Sequence, residues 1–498
     1  MDKKHSDITE NKRIMNLIEL LHGLDFTILS GDSSVNITSL AYDSRSVTPG
    51  ALFIAVRGFV VDGNLFVPEA VRKGAAAILT ESAGAGEGAV LIQVPDIRKA
   101  MALIADRFYG SPQKSLVMMG VTGTNGKTTT SFMIKSIFDT VGMNCGIIGT
   151  INHIIGNEKI QSLNTTPEAP DIHAYLSHMV EAHQSACVME VSSHALALNR
   201  IYGIQFRAAA YLNLSRDHLD FHGDIRNYLD AKSILFTHLA GDSTAVINRD
   251  DAYADHIISL SRGSHVITFG ENENCDIHPL FVELHSCKSL VSLATPAGTM
   301  DFSLSVPGRY NVSNAMAAIG IALACGIPGE VIVRGLEGVR VVRGRYEIVD
   351  EGQDFTVIVD YAHTPDALER VLLSARELTQ GRLIAVFGCG GDRDKGKRPV
   401  MGQISTHIAD FSFITSDNPR TENPHDIISD ILKGVNSLDK CEVVPDREEA
   451  ILKALSYARS GDTVVIAGKG HEDYQIIGTK RRHFDDAETA RCILRSLI

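Results

Sequence analysis

The sequence lacks several features that would place it in a simple class. Its 498 residues include only 15 prolines and eight cysteines, and no two cysteines form a CxxC pair. Neither a disulfide framework nor a zinc ribbon is therefore indicated. No apolar run reaches the roughly 18 residues that cross a bilayer, and the polar N-terminus, MDKKHSDITENKR, lacks the apolar core of a signal peptide. We expect a cytosolic protein that does not enter a membrane.

Positive charge is also scarce. Lys and Arg number 47 against 60 Asp and Glu, so the formal net charge is −13. The chain has no long-range positive field that would attract nucleic acid, and any anion site must be local. Its 44% hydrophobic and 21% charged residues are typical of a folded globular protein. At roughly 150 residues per domain, the length predicts about three domains.

Three successive segments have the pattern of α/β structure. In the first, the short strands ALFIAV, AAAILT and VLIQV precede a helix that ends at Gly110. In the second, a strand–loop–helix unit at SLVMMGVTG recurs in SACVMEVSSHALAL and FRAAAYLNLS, which predicts a parallel sheet. In the third, the strands FTVIVDYA, RLIAVFG, FSFITSD and TVVIAG each end in a polar loop, at the sheet edge where ligands bind. We predict domains at 1–112, 113–340 and 341–498.

The segment MMGVTGTNGKTTTSF at 118–132 predicts a phosphate-binding loop between a strand and a helix. Glycines let backbone N–H groups close around phosphate oxygens, a lysine reaches the terminal phosphates, and a threonine hydroxyl can hold Mg²⁺. The loop departs from GxxxxGK[ST], because Val121 stands where that pattern has its first glycine. The alternative, a turn with a chance Lys-Thr pair, is disfavoured by the flanking strand and helix. The predicted ATP-binding residues here are Gly123, Thr124, Asn125, Gly126, Lys127, Thr128 and Thr129.

This loop, GTNGKTTT, resembles that of the Mur ligase family, the ATP-dependent amide-forming enzymes of peptidoglycan precursor synthesis. The resemblance continues through TTPE, MEVSSHAL, LNLSRDHLDFHG, DAKSILF, GRYNVSNAMAA, GRYE, DYAHTPD and FGCGGDRDKGKRP. It implies an α/β fold of three domains: a small N-terminal UDP-binding domain, a central P-loop ATPase-like domain with a parallel sheet, and a C-terminal Rossmann-like domain that binds the amino acid.

Three further motifs, YDSR, DNPR and GKGHEDYQ, are similar to those of family members that add the third peptide residue. The resemblance therefore implies a ligase that joins meso-2,6-diaminopimelate to UDP-MurNAc-L-Ala-D-Glu through an acyl phosphate, using ATP and Mg²⁺. It also implies a cytoplasmic enzyme of cell wall biogenesis, and we expect it to be a monomer.

Three residues are candidate metal ligands, and each also has an ordinary structural interpretation. Glu190 follows an apolar strand, where a carboxylate could meet Mg²⁺, although a strand-end glutamate is more often a solvated acid. His218 could be a core or capping histidine, and Lys232 a surface lysine whose stem lies along the protein. The resemblance implies instead that Glu190 and His218 hold magnesium with Thr128. It further implies that Lys232 is carbamylated to N6-carboxylysine and so becomes a metal ligand.

The resemblance assigns further ATP contacts to Asn311, Asp360 and His363. Arg345, in GRYE, matches a position that faces the nucleotide phosphates, although an interdomain salt bridge is an equal alternative. Lys127, Glu190, His218, Lys232 and Arg345 are thus the expected catalytic residues.

The two remaining substrates are assigned in the same way. For the UDP-sugar peptide, the matching residues are Ser44, Asn164, Thr165, Thr166, Ser192 and Arg200. Leu198 stands where some family members have glutamine, so one substrate hydrogen bond is not expected. For diaminopimelate, the matching residues are Arg393, Asp417, Asn418, Pro419, Arg420, Gly468 and Glu472. Arg420 can donate two hydrogen bonds to the distal carboxylate that distinguishes diaminopimelate from lysine.

Three alternatives remain at this stage. A lysine-adding ligase of the same fold would be expected to lack the arginine of DNPR. A folylpolyglutamate synthetase is disfavoured by the N-terminal domain and its YDSR motif. A P-loop ATPase that drives movement or binding would hydrolyse ATP without needing an amino acid, and it leaves the four polar loops of the third segment unexplained.

Overall fold

The computed structural model describes residues 13–59, 61–82, 88–340 and 342–497. No signal peptide is predicted in MDKKHSDITENKR. Apart from Arg13, that segment lies outside the described residues. The chain divides into two compact units, one formed by Met1–Met119 and Asn144–Phe206 and the other by Gly120–Met143 and Arg207–Ile498. Within the described ranges, no helix is both long and apolar enough to span a membrane. All eight cysteines are free thiols.

The first unit opens with a five-stranded sheet. Its strand order is Thr27–Ser30, Val90–Gln93, Ala77–Thr80, Ala51–Ile54, Ser39–Ala41. The first strand pairs antiparallel to the second, and the others are parallel. A short antiparallel pair joins Met15–Asn16 to Asn36–Ile37. The helices are Leu17–Leu21, Val67–Arg72 and Ile97–Phe108. Leu52 and Ile92 of the sheet pack with Met101 and Ile104 of the last helix. The strands and the helix predicted between residues 51 and 110 are therefore confirmed.

The rest of the first unit contributes four neighbouring strands to a larger sheet. Their order is Glu158–Gln161, Asn152–Ile155, Cys145–Ile148, Ala186–Glu190. The last pair is parallel, as the sequence predicts, whereas the hairpin over 152–161 is antiparallel and was not predicted. The helices here are Ala169–Glu181 and Ser193–Ala197.

The strand Val117–Thr122 belongs partly to each unit. In the second unit, it leads into the helix Lys127–Thr140, and the Leu212 N–H donates to the Thr122 carbonyl at 3.0 Å. Parallel strands follow at Ala208–Tyr211, Thr244–Asn248 and His265–Phe269. An antiparallel sheet that the sequence did not predict comprises His278–Leu284, Ser289–Ala294 and Met300–Leu304. The helices are Leu219–His222, Ile225–Thr237, Ala254–Leu260, Arg309–Ala324 and Gly329–Glu337.

The second unit ends in a six-stranded sheet. Its strand order is Glu347–Ile348, Thr356–Asp360, Thr463–Ala467, Leu383–Phe387, Phe411–Ile414, Cys441–Val443. Only the first pair is antiparallel. The helices are Pro365–Leu378, Lys397–Ile408, Pro424–Leu432, Arg447–Tyr457 and Asp486–Leu497, and a hairpin joins Tyr474–Ile477 to Lys480–His483.

Apolar side chains cover both faces of this sheet. Ile358 and Val465 pack on one face with Leu368, whereas Ile384 and Ile466 pack on the other with helices 447–457 and 486–497. Because neighbouring strands run parallel, the polar loops that follow 356–360, 383–387, 411–414 and 463–467 leave from the same edge. The predicted clustering of these four loops is confirmed.

A buried ion pair joins the two helices on one face of this sheet. Arg447 and Asp486 are both fully buried, and the guanidinium donates to both carboxylate oxygens at 2.7 Å. Arg447 also donates to the Ala467 carbonyl at 3.0 Å. Removing one partner of such a pair leaves an uncompensated buried charge, which is more costly than losing the attraction alone.

We therefore expect Asp486→Ala to lower the free energy of unfolding by about 3–5 kcal/mol. Urea unfolding of the full chain measures the change. Lys453→Ala is the matched control, since its pair with Glu442, at 2.8 Å, lies at the surface, and such pairs contribute at most about 1 kcal/mol. Equal effects of the two substitutions would contradict the assigned importance of the buried pair.

Candidate active site

The phosphate loop is held in place by the segment that follows the strand Ala208–Tyr211. The N–H groups of Thr124 and Asn125 donate to the backbone and side-chain oxygens of Asn213, each at 2.9 Å. Gly126 has φ +90°, and a Cβ there would lie 2.4 Å from the Asn314 side-chain oxygen, so only glycine fits. The helix then begins at Lys127, and its first N–H groups provide an anion site.

Lys127 and Lys232 approach the same carbonyl group. The Lys127 Nζ donates to the carbonyl of Gly123 at 2.7 Å and to that of Thr124 at 2.9 Å. The Lys232 Nζ donates to the Gly123 carbonyl at 3.0 Å and lies 4.6 Å from the centre of the Tyr228 ring. With 1% of its surface exposed, Lys232 is not the surface lysine of the ordinary interpretation. Burial, and then the charge of Lys127, hold the pKa of Lys232 well below its usual value.

His218 lies close to these lysines. Its backbone has φ +52° at the start of the short helix Leu219–His222, but its side chain does not cap that helix. Its Nε2 lies 3.4 Å from an Asp217 carboxylate oxygen, and 46% of the side chain is exposed. Partial burial of the ring, with the charges of Lys127 and Lys232, lowers the pKa of His218 to about 4. The imidazole is therefore neutral at pH 7, which is the form that binds metals.

Two contacts join the phosphate loop to the last third of the chain. Arg345 donates to the Thr128 hydroxyl at 3.2 Å and lies 4.8 Å above the Tyr361 ring. Its Nε is buried and has no hydrogen-bond partner among the described residues. Both contacts of Arg345 are with uncharged groups, so among the described residues nothing supports an interdomain salt bridge of this side chain. The second contact was missed from the sequence: Asn125 donates to the Asp366 carboxylate at 2.6 Å.

The three other predicted ATP contacts already have partners within the chain. Asp360 is buried and accepts from the Tyr346 N–H at 2.7 Å, and burial raises the pKa of this carboxyl to about 6. His363 has its Nδ1 2.8 Å from the Tyr361 carbonyl, and burial lowers its pKa. Asn311 donates to the Pro307 carbonyl at 2.7 Å, and its oxygen accepts from Asn314 at 3.0 Å. The NH₂ group of Asn311 can still donate one more hydrogen bond, and its oxygen can still accept one more.

Glu190 belongs to the first unit and ends the strand Ala186–Glu190. It is 1% exposed, so it is not a solvated surface acid. Its two oxygens accept from the N–H and the hydroxyl of Thr150 at 2.9 and 2.8 Å. The Thr150 hydroxyl also lies 3.1 Å from that of Thr165. The carboxylate is therefore held in one orientation.

Four of the residues predicted for the nucleotide-sugar substrate lie together in the first unit. The Ser192 N–H donates to the Thr166 hydroxyl at 3.0 Å, and that hydroxyl donates to the Glu190 carbonyl at 2.8 Å. Arg200 donates to the Thr166 carbonyl at 2.8 Å. Thr165 is connected to Glu190 through the Thr150 hydroxyl, which contacts both. The four residues of this group are Thr165, Thr166, Ser192 and Arg200.

The other two residues of this prediction have different surroundings. Asn164 is exposed, and its carbonyl accepts from the Ser162 hydroxyl at 2.7 Å. Ser44 is buried in the N-terminal part of the unit, where its hydroxyl donates to Glu69 at 2.8 Å. Glu168, of TTPE, was not among the predicted residues, yet its carboxylate lies 2.7 Å from Arg200.

The residues predicted for the amino acid meet at the edge of the six-stranded sheet. The Asn418 amide donates to Glu472 at 2.8 Å, and its oxygen accepts from Lys469 at 3.2 Å. Lys469 is fully buried and also lies 3.2 Å from Glu472 and 3.8 Å from Asp417. Burial, and then the charge of Asp417, raise the pKa of Glu472. Gly468, at φ +122°, would bring a Cβ to 2.9 Å from the Asp417 carboxylate.

Two arginines border this cluster. Arg420 is half-buried, has φ +51°, and donates from Nη1 to the Gly391 carbonyl at 2.8 Å. Arg393 is exposed and donates to the Asp392 carbonyl at 3.0 Å. A Cβ on Gly390 would lie 2.9 Å from the Arg420 Nη1 and 3.9 Å from the Arg393 Cγ, so the two side chains flank this glycine. The Pro419 carbonyl accepts from the Glu422 N–H at 3.1 Å.

Lys469 is the main residue of this cluster that the sequence interpretation did not select. It lies within GKGHED, two residues after the end of the apolar strand Thr463–Ala467, and between two glycines. The argument applied to Glu190, a polar side chain at the end of a buried strand, would have identified it.

Three family models match successive parts of the chain. The model of the Mur ligase family, catalytic domain, matches residues 36–109. That of the Mur ligase middle domain matches residues 121–322, and that of the Mur ligase, glutamate ligase domain matches residues 344–470. A relative from Clostridium tetani (strain Massachusetts / E88), UDP-N-acetylmuramoyl-L-alanyl-D-glutamate--2,6-diaminopimelate ligase, is 44% identical over 489 residues, which are 97% of this chain and 100% of the relative.

Solved structures show the same fold. A structure of a UDP-N-acetylmuramoyl-L-alanyl-D-glutamate--2,6-diaminopimelate ligase has a TM-score of 0.70 at 32% identity, over 97% of this chain and 99% of that one. The MurF ligase from Thermotoga maritima, in complex with ADP, has a TM-score of 0.61 at 19% identity, over 86% of this chain and 93% of that one. The predicted α/β fold of three domains is confirmed, and the chain belongs to the Mur ligase family.

Proposed function

We propose that the protein is an ATP-dependent ligase that joins meso-2,6-diaminopimelate to UDP-MurNAc-L-Ala-D-Glu in the cytosolic synthesis of peptidoglycan precursors. One observation carries the proposal: a single compact unit contains both the phosphate loop with Lys127 and, at Arg420, an arginine beside a buried acid and amide cluster. The name of the Clostridium tetani relative supports the same substrates. The domain boundaries 1–112, 113–340 and 341–498, the site residues and the monomeric state remain predictions.

The first step activates a carboxylate of the substrate's D-Glu residue. A carboxylate oxygen attacks the γ-phosphorus of ATP, the new O–P bond forms as the bond to ADP breaks, and an acyl phosphate results. Such a transfer depends on positioning and charge neutralisation rather than on a nucleophilic side chain. Lys127 and the N–H groups at the start of its helix supply both. Arg345 adds a further positive charge beside Thr128, and its buried Nε has no hydrogen-bond partner among the described residues.

The second step forms the amide bond. The neutral amine of diaminopimelate attacks the acyl carbon, and phosphate leaves from the tetrahedral intermediate. The amine must first lose a proton, and Glu472 is the carboxylate suited to accept it, because its raised pKa makes it a better base. Arg420 and Arg393 hold carboxylates of the amino acid, and Asp417 accepts from its other ammonium group.

The residues of the second unit fit magnesium only in part as they stand. Among the described residues, no three His, Cys, Asp or Glu side chains form a group that could hold a metal. Thr128 and neutral His218 are present, and a carbamate on Lys232 would add oxygen donors of the kind that Mg²⁺ prefers. Bound magnesium would neutralise phosphate charge. Glu190, in the first unit, remains a predicted further ligand.

We expect phosphate release to require both UDP-MurNAc-L-Ala-D-Glu and meso-diaminopimelate. With lysine or ornithine, kcat/KM should fall by more than about 10²-fold, because Arg420 would lose the carboxylate that pairs with it. A coupled phosphate assay with each amino acid measures this. Equal turnover with lysine would contradict the assigned specificity, and ATP hydrolysis independent of any amino acid would contradict the ligase itself.

A further inference from the structure

A hairpin beside the amino-acid cluster holds the backbone of DNPR in place. The Arg420 N–H donates to the Ile476 carbonyl at 3.1 Å, and the Gly478 N–H donates to the Arg420 carbonyl at 2.7 Å. The Ile476 N–H donates to the Asn418 side-chain oxygen at 2.9 Å. Arg420 has the left-handed φ of +51°, which is unfavourable for a residue with a Cβ and needs such support. The strand Tyr474–Ile477 therefore fixes the backbone position from which the Arg420 side chain extends.

Gln475 makes the contact at the other end of this loop. It is 2% exposed, and its Nε2 donates to the backbone carbonyl of Asp417 at 2.7 Å. Its Oε1 accepts from the Arg482 guanidinium, from Nε at 3.0 Å and from Nη2 at 2.5 Å. Arg482 is directly opposite Gln475 in the hairpin.

These two contacts leave only one orientation for the Gln475 amide. A flipped amide would place its oxygen against the Asp417 carbonyl and its NH₂ against the guanidinium, and both contacts would be repulsive. Arg482 thus keeps the NH₂ directed at Asp417. Nothing in the proposed reaction uses Gln475, although it is the last residue of GKGHEDYQ.

We propose that Gln475, oriented by Arg482, is a positioning residue that sets the selectivity of the site for an amino acid with a distal carboxylate. The inference rests on the proposed function and deepens it. Gln475 fixes Asp417, the first residue of DNPR, and the hairpin fixes Arg420, the last. Asp417 receives an ammonium group of the amino acid and Arg420 receives a carboxylate. The two contacts therefore hold the distance between these two groups constant. Without Gln475, the Asp417 end of the loop is released and the two groups no longer match one ligand.

Gln475→Glu is the sharpest test, because it keeps the shape and the contact with Arg482 while replacing the donor by an acceptor. We expect the KM for diaminopimelate to rise roughly tenfold. The KM values for ATP and UDP-MurNAc-L-Ala-D-Glu, and kcat, should stay within about twofold. The ratio of kcat/KM for diaminopimelate to that for lysine should fall by a similar factor of roughly ten. Lys480→Ala, an exposed change in the same hairpin, is the control and should alter none of these values.

Arg482→Ala is the second variant. It leaves the Gln475 side chain in place but removes the group that orients it, so a smaller change in the same direction is expected, and Gln475→Ala should match Gln475→Glu. Circular dichroism and melting temperature show whether each variant is folded. If Gln475→Glu is folded and keeps the wild-type KM for diaminopimelate, or if all three KM values rise together, the positioning role is wrong. Failure of the proposed function is distinguishable, because the wild-type protein would then show no diaminopimelate-dependent turnover.

Discussion

Lys127→Ala is expected to lower kcat for diaminopimelate-dependent phosphate release by about 10³-fold. The Lys127 ammonium lies over the phosphate loop, 2.7 and 2.9 Å from the carbonyls of Gly123 and Thr124, and it is the cation that the loop directs toward the terminal phosphates. Negative charge on the transferred phosphoryl group is neutralised by such fixed positive groups rather than by water. Alanine carries no charge and cannot neutralise the transferred phosphoryl group.

The matched control is Lys135→Ala. Lys135 lies two turns further along the same helix and pairs with Asp139 at 2.8 Å, with 22% of the Lys135 and 40% of the Asp139 side chain exposed. The control should keep kcat within about twofold, since a surface i,i+4 pair contributes little to stability. Binding of a fluorescent ATP analogue separates lost affinity from lost chemistry. Comparable turnover of Lys127→Ala and Lys135→Ala would contradict the assignment of the phosphate loop.

The sequence was most informative where function depends on contiguous residues. One short segment contains the strand, the glycines and the Lys-Thr pair. The start of the helix at Lys127 therefore followed from local chemistry. The four polar loops of the last segment followed from a different rule, because any parallel strand places its carboxyl end at one edge of the sheet.

Other features depend on packing that the sequence does not display. The contact between Asn125 and Asp366 joins residues 241 positions apart, and only the docking of Pro365–Leu378 brings them together. The antiparallel sheet over 278–304 interrupts an otherwise parallel pattern, and no rule of α/β folds requires it. Gln475 lies in the GKGHEDYQ motif, but its role depends on a backbone carbonyl 58 positions earlier in the chain.

Lys232 is an intermediate case. Its helix, Ile225–Thr237, buries Tyr228, Leu229, Leu235 and Phe236. These positions lie three or four residues on either side of Lys232, so they share its face of the helix. The helical period alone therefore places this lysine on the apolar face and disfavours a surface position. The chemical consequence, a depressed pKa, also needs the position of Lys127, which only the folded chain supplies.

Lys232→Ala is expected to abolish most of the ligase activity, with a loss of about 10³-fold in kcat. Only an unprotonated amine attacks CO₂, and burial beside Lys127 favours that form of Lys232 at neutral pH. The amine nitrogen bonds to the carbon of CO₂ and gives up a proton, so the neutral amine becomes a carbamate anion. The carbamate then forms an ion pair with Lys127, which approaches the same Gly123 carbonyl beside the phosphate loop.

The variant leaves a space that a small carboxylate can fill, so acetate or formate should restore part of the activity of Lys232→Ala and none of that of Lys127→Ala. Labelling with ¹³C-bicarbonate gives a second readout, since the wild-type protein should show a carbamate signal that Lys232→Ala lacks. Lys232→Arg is the steric control: it keeps a long cationic side chain but cannot form the carbamate, and small carboxylates should not restore it, because the space is filled. Full activity of Lys232→Arg would show that a cation, not a carboxylate, is needed beside Lys127, and would remove the carbamate from the mechanism.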